Sequence, residues 1–111
     1  NLVDAPGVGF IIQPITITAI VTYVSTGTTQ ANYLYISYDS SSTTNYLARQ
    51  RNFFKDETAS RTYIFSSDGL TPSDGTYAGS INNKPLKIYA NVDFTGDFTI
   101  QVLTTYQIVK L

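Results

Sequence analysis

The stretch Asp97-Phe98-Thr99-Ile100-Gln101-Val102-Leu103-Thr104-Thr105-Tyr106-Gln107-Ile108-Val109-Lys110-Leu111 decides how the chain is read. Taken in twos, Phe98, Ile100, Val102, Thr104, Tyr106 and Ile108 form one set. Thr99, Gln101, Thr105 and Gln107 form the other, interrupted only by Leu103. Successive side chains leave a β-strand on opposite faces, so this alternation predicts a half-buried strand. At about 3.4 Å per residue it would reach roughly 50 Å, longer than most strands of globular domains. Ending on such a strand, the chain is expected to place it centrally in a sheet. The segment before it alternates too: Leu86, Ile88, Ala90 and Val92 are expected inward, Lys87, Tyr89 and Asn91 outward. Only the short turn through Thr95-Gly96-Asp97 separates the two, which predicts an antiparallel hairpin.

Working outward, Phe10 to Ser25 is nearly continuous β signal, with Ile15, Ile17, Ala19, Val21 and Tyr23 on one face. Pro14 has no N–H for a ladder, so a bulge or break is expected there. Ahead of it, Pro6, Gly7 and Gly9 predict a tight turn. Asn32 to Asp39 sets Tyr33, Tyr35 and Ser37 against Leu34, Ile36 and Tyr38, a strand with one aromatic face. Arg61 to Ser66 opposes Tyr63 and Phe65 to Thr62 and Ile64. Asn45 to Phe54 has no clear period, and Lys55 to Ser60 tolerates one helical turn at most. Ser67 to Asn83 is irregular, with Asp68-Gly69 and Asp74-Gly75 as turn signals, and Tyr77 and Ile81 are expected to pin it to the body. Seven or eight strands at such spacing predict a single all-β domain over 1–111, an antiparallel β-sandwich of jelly-roll or Greek-key type.

Composition narrows the chemistry. The 111 residues carry seven Lys and Arg against eight Asp and Glu, a formal net charge of -1. Nucleic acid and anionic membranes need clustered positive charge, so neither is an expected partner. There is no His and no Cys, which removes the commonest general base, the commonest metal ligand and any thiolate. No cofactor is expected. No apolar run is long enough to span a bilayer as a helix. The absence of Met, position 1 included, is expected of a processed precursor or a piece of something larger.

The acidic residues are Asp4, Asp39, Asp56, Glu57, Asp68, Asp74, Asp93 and Asp97. Paired carboxylates serve glycoside hydrolysis, but nearly all of these adjoin turn residues, where Asp caps local backbone. Asp68, Ser73 and Asp74 offer oxygen ligands for calcium without the spacing of a known loop. Arg49, Arg51, Lys55, Asp56, Glu57 and Arg61 mix signs, as on a solvated face or an ion-paired subunit contact. Nine Tyr and six Phe fit either core positions or an exposed platform for sugar or protein. Tyr33, Tyr35, Tyr77 and Tyr89 are the ones expected at the surface. Tyr106, Ile108, Val109 and Leu111 leave the closing strand apolar on both faces at its end, as at a seam between subunits. No Asn-x-Ser/Thr sequon is present.

Two stretches carry a family resemblance. One is Leu2-Val3-Asp4-Ala5-Pro6-Gly7-Val8-Gly9-Phe10-Ile11-Ile12 with the strand ending in Val21-Thr22-Tyr23. The other joins Asn83-Lys84-Pro85-Leu86-Lys87-Ile88 and Thr95-Gly96-Asp97-Phe98-Thr99-Ile100 to Tyr106-Gln107-Ile108-Val109-Lys110-Leu111. Together they resemble small β-sandwich structural proteins of tailed bacteriophages, the capsid decoration and head-fibre type. Phe10 stands where that family often has Lys, and the middle of the chain is not covered. The resemblance implies a non-enzymatic component on the capsid surface of the virion. It would be a homotrimer docked on the major capsid protein or on other virion subunits. The rival readings are a receptor- or carbohydrate-binding module of a tail fibre or baseplate, and a small glycosidase or lyase accessory.

Overall fold

In the computed structural model, residues 1–38, 46–66 and 81–111 are described. Among them six strands and no helix are found: β1 (Phe10–Thr26), β2 (Tyr33–Tyr38), β3 (Ala48–Arg51), β4 (Arg61–Ser66), β5 (Leu86–Ala90) and β6 (Asp97–Lys110). They form two antiparallel three-stranded sheets, β4-β1-β6 and β3-β2-β5. This is the all-β architecture expected, compatible with a small β-sandwich, although the strand order does not by itself define a jelly roll or a Greek key. Among the described strands, consecutive ones lie in different sheets except β2 and β3, which share one. Asp39, Asp68, Ser73, Asp74 and Tyr77, considered above for binding or catalysis, lie outside the described residues.

Two expectations for the closing strand are overturned. Among the described residues β6 is an edge strand, and β1 holds the centre. The hairpin between residues 86–92 and 97–111 does not form, because β5 bonds to β2 while β6 bonds to β1. Length decides this. β1 offers β6 a register running from Phe10 opposite Lys110 to Thr26 opposite Asp97, whereas β5 is five residues long. Sheets in a sandwich lie about 10 Å apart, a gap that residues 91–96 span as readily as they would close a hairpin.

β1 has the bulge foreseen at Pro14. Pro14 faces Tyr106 and Thr16 faces Thr105, so Ile15 is the extra residue. The inserted residue changes which parity points inward. Before it Ile12 and Pro14 are buried; after it Ile17, Ala19 and Val21 are, and Ile15 is turned out to solvent. The face assigned to Ile15 from strict alternation is therefore corrected.

The core lies between the sheets. Ile12 and Ile17 meet Ile36, Leu47, Ala48 and Leu86 in one cluster, and Ala19 and Val21 meet Leu34, Phe53 and Phe54 in another. Phe53 and Phe54 are consecutive yet both fully buried. The backbone permits it by passing through positive φ at Asn52 (51°), Phe54 (54°) and Asp56 (56°). An aromatic residue in that region costs on the order of 1–3 kcal/mol and persists only where surroundings hold it. Here Asn32 Oδ1 accepts from Phe53 N–H at 2.8 Å, Thr28 Oγ1 donates to the Phe53 carbonyl at 2.9 Å and Tyr63 Oη accepts from Phe54 N–H at 2.9 Å. No helical turn forms over Lys55 to Ser60; Lys55 instead makes a parallel bridge with Thr28.

Candidate functional site

Alternation along β2 sends Leu34 and Ile36 to the core and Tyr33, Tyr35 and Ser37 to the opposite face of the sheet. Register then sets the neighbours. Tyr35 lies between Arg49 of β3 and Tyr89 of β5, Tyr33 opposite Arg51, and Ser37 opposite Lys87. The rings associate: Tyr35 stacks on Tyr89 with centroids 5.3 Å apart, and Tyr33 and Tyr46 tilt against it at 5.9 and 5.4 Å. The Arg49 guanidinium lies 4.9 Å from the Tyr33 centroid and 5.4 Å from that of Tyr46. Among the described residues no strand position on this face holds a carboxylate, and Arg49, Arg51 and Lys87 are its charged residues.

Tyr33 and Tyr89 are half-buried, but Tyr35 is only 3% exposed and is corrected from the surface to the floor of the cluster. Its neighbours cover it, a consequence of stacking across three strands that no single strand reveals. Burial pushes the Tyr89 hydroxyl pKa up, partly opposed by a hydrogen bond with Ser37. Tyr46 and the guanidinium of Arg49 were not singled out for this surface by sequence reasoning. The signal was available, since Arg49 and Arg51 share a parity on a strand without a clear period.

The second surface is β6. Its inner-facing set, Ile100, Val102, Thr104, Tyr106 and Ile108, is turned toward the other sheet but overhangs its margin. Val102 is half-buried, while Ile100, Tyr106 and Ile108 remain 40%, 44% and 47% exposed. Leu103 and Leu111 are exposed as well, and Val109 is half-buried beside Ile11. Of the interface residues expected from sequence, Tyr106 and Ile108 thus lie on the inner face near the end of β6, and Val109 and Leu111, the latter just past the strand, on the opposite face. Tyr33, Tyr35 and Tyr89 form the separate aromatic cluster on the other sheet.

Among the described residues the carboxylates do not converge. Asp56 pairs with Lys55 at 2.7 Å and Glu57 with Arg61 at 3.3 Å. Asp97 accepts from Ser25 Oγ at 2.8 Å, and Asp4 accepts from the Asn1 amide at 3.1 Å. A cleft of about 270 Å³ is lined by Tyr23, Gly27, Thr28, Asp56, Glu57 and Thr58, and both its acids belong to those ion pairs. Among the described residues no group of three or more Asp and Glu is placed to hold a metal ion. The charged cluster read from sequence is divided: Arg49 joins the aromatic face and Lys55 to Arg61 pair locally.

Neither protein-family models, nor curated proteins, nor solved structures give a match to this chain.

Proposed function

We propose that this chain is a non-enzymatic structural protein of a tailed-bacteriophage virion. In this reading it is a capsid decoration protein or a capsid-anchored head-fibre domain that works through protein–protein contacts. The observation that carries the reading is β6: a fourteen-residue edge strand with Ile100, Tyr106 and Ile108 left about half exposed. Long exposed apolar edges invite pairing with another chain, and a protein that keeps one uses it for that contact. The segments that carry the family resemblance also support it by lying together. Leu86 bridges Val3, Gly7 and Gly9 N–H donate to Asn83 and Asn82 Oδ1, and Phe10 to Ile12 pair with Ile108 to Lys110.

The test is light scattering on the purified chain together with sedimentation against tailed-phage capsids. Association with capsids is expected, with or without self-association, and imaging of an intact virion should place the chain on the capsid surface. A monomer at high concentration with no affinity for capsids sinks the reading.

The aromatic face favours a second reading, a receptor- or carbohydrate-binding module. Tyr33, Tyr46 and Tyr89 around Arg49 present ring faces and one delocalised cation, a combination suited to sugars bearing a carboxylate. A glycan array discriminates. Binding that is lost in Tyr33→Ala supports the module, and a blank array counts against it.

A further inference from the structure

The alternation of hydrogen bonds shows which side of β6 is open. Leu111 N–H donates to the Gly9 carbonyl at 2.9 Å with Phe10 opposite Lys110, so odd-numbered residues of β6 bond to β1. The even-numbered residues, from Phe98 to Lys110, direct their N–H and C=O groups away from it. Among the described residues no strand or bridge takes up that edge. Ser66 opposite Thr16, and Asn83 bonded to the Phe10 carbonyl, both lie along the other margin of β1.

The sequence of the open edge is nearly the same in both directions. Ile100-Gln101-Val102-Leu103-Thr104-Thr105-Tyr106-Gln107-Ile108 has Ile at each end, Gln next to each end, and large apolar residues at the third positions. We propose that β6 pairs antiparallel with β6 of a second copy of this chain, about a two-fold axis through Thr104. Ile100 then faces Ile108 of the other copy, Gln101 faces Gln107, Val102 faces Tyr106 and Thr104 faces itself. All the residues that exchange bonds are even-numbered, the ones whose main-chain groups are open. Cross-strand pairs of this kind have Cβ atoms roughly 4.5–5.5 Å apart, so the exposed Ile100 and Ile108 cover one another. No charge lies between Asp97 and Lys110, so the two copies meet without like-charge repulsion. The two three-stranded sheets become one sheet of six strands with an isologous contact.

This pairing rests on the reading of β6 as a subunit contact and names its partner. It puts a two-fold contact where the family resemblance implies a trimer. Light scattering after gel filtration, with circular dichroism as the folding control, reads it in five chains: wild type, Ile100→Lys, Ile108→Glu, the two combined, and Thr104→Pro. Wild type is expected at twice the 12.2 kDa chain mass. Each single charge change is expected to raise the dimer dissociation constant at least tenfold. The combined variant should restore the dimer, since the new ammonium at 100 faces the new carboxylate at 108 of the other copy. Within one strand those positions are about 27 Å apart, too far to interact. Thr104→Pro removes an outward N–H and no bond to β1, so a folded monomer is expected. A wild-type trimer or monomer overturns the pairing, as does a dimer that the combined variant fails to restore. The functional reading is separable: a monomer or trimer that still binds capsids leaves it standing. A dimer that binds none supports the pairing and removes the virion role.

Discussion

Gly27 lies where the main chains of three loops meet, and its lack of a side chain is what lets them meet. A Cβ there would stand 2.5 Å from the Phe54 carbonyl oxygen and 2.8 Å from the Glu57 nitrogen, both backbone atoms without freedom to move aside. A Cβ on Gly96, at φ 113°, would in turn strike the Gly27 carbonyl. Gly27→Ala is therefore expected to lower stability by about 1–3 kcal/mol or more, read as a shifted urea midpoint. Tyr38 acts differently. Its hydroxyl donates to the Ile12 carbonyl at 2.6 Å and so ties one sheet to the other. Burial pushes its pKa from 10.0 up to about 12, and burial also raises those of Tyr63 and Tyr89. Above pH 10 the unfolded chain loses these protons while the folded chain keeps them. Stability is thus full below pH 10 and falls as pH rises toward 12. Tyr38→Phe should cost about 1 kcal/mol near neutrality, where the Ile12 carbonyl loses its partner, and should flatten the alkaline fall. Denaturant midpoints measured from pH 7 to 12 in both chains check the two effects; a parallel fall would contradict the assignment to Tyr38.

Among the elements, β1 is the one whose geometry the others follow. A single extra residue, Ile15, allows Ile12 and Pro14 on one side of the bulge and Ile17, Ala19 and Val21 on the other to face the same core. Shifting a strand by one position exchanges its faces. Deleting Ile15 would turn either Ile12 or the Ile17–Val21 set outward, and loss of the cooperative thermal transition is expected. Replacing the same residue, Ile15→Thr, removes only an exposed apolar side chain from a β-branched position and should stay within about 0.5 kcal/mol of wild type. Comparing the two melts separates the backbone role of position 15 from any role of its side chain. If the deletion melted like the substitution, the bulge would not be setting the phase.

For the whole molecule, the longest dimension is 46 Å, which β6 at about 3.4 Å per residue nearly matches by itself. β2, β3 and β5, at six, four and five residues, are too short to cover it, so the inner side of β6 runs past the facing sheet. The exposed Ile100, Tyr106 and Ile108 follow from that mismatch of lengths. If β6 associates as argued, mass action links stability to concentration. The melting temperature of wild type should rise with each tenfold increase in protein, while that of Thr104→Pro should stay constant. Scanning calorimetry at three concentrations reads this, and a wild-type temperature that does not move would speak against association under those conditions.

Strands β1, β2, β4, β5 and β6 were legible from sequence, because alternation and β-branching act on a few neighbouring residues; β3 lay in a stretch without a clear period. The bulge at Pro14 was legible for the same reason: a missing N–H is a property of one residue. The aromatic face of β2 could be read from the parity of Tyr33 and Tyr35. Its cover of Tyr46, Arg49 and Tyr89 could not, since those residues arrive from other strands by register. Phe53 and Phe54 had no readable period because their burial depends on left-handed backbone at Asn52 and Phe54, held by Asn32, Thr28 and Tyr63. The place of β6 was decided only in three dimensions. Its own residues determine that it is a long strand with one apolar side. Whether it lies at the centre or the edge depends on competition among strands, which β1 won by length, and that competition left the apolar side of β6 at an open edge.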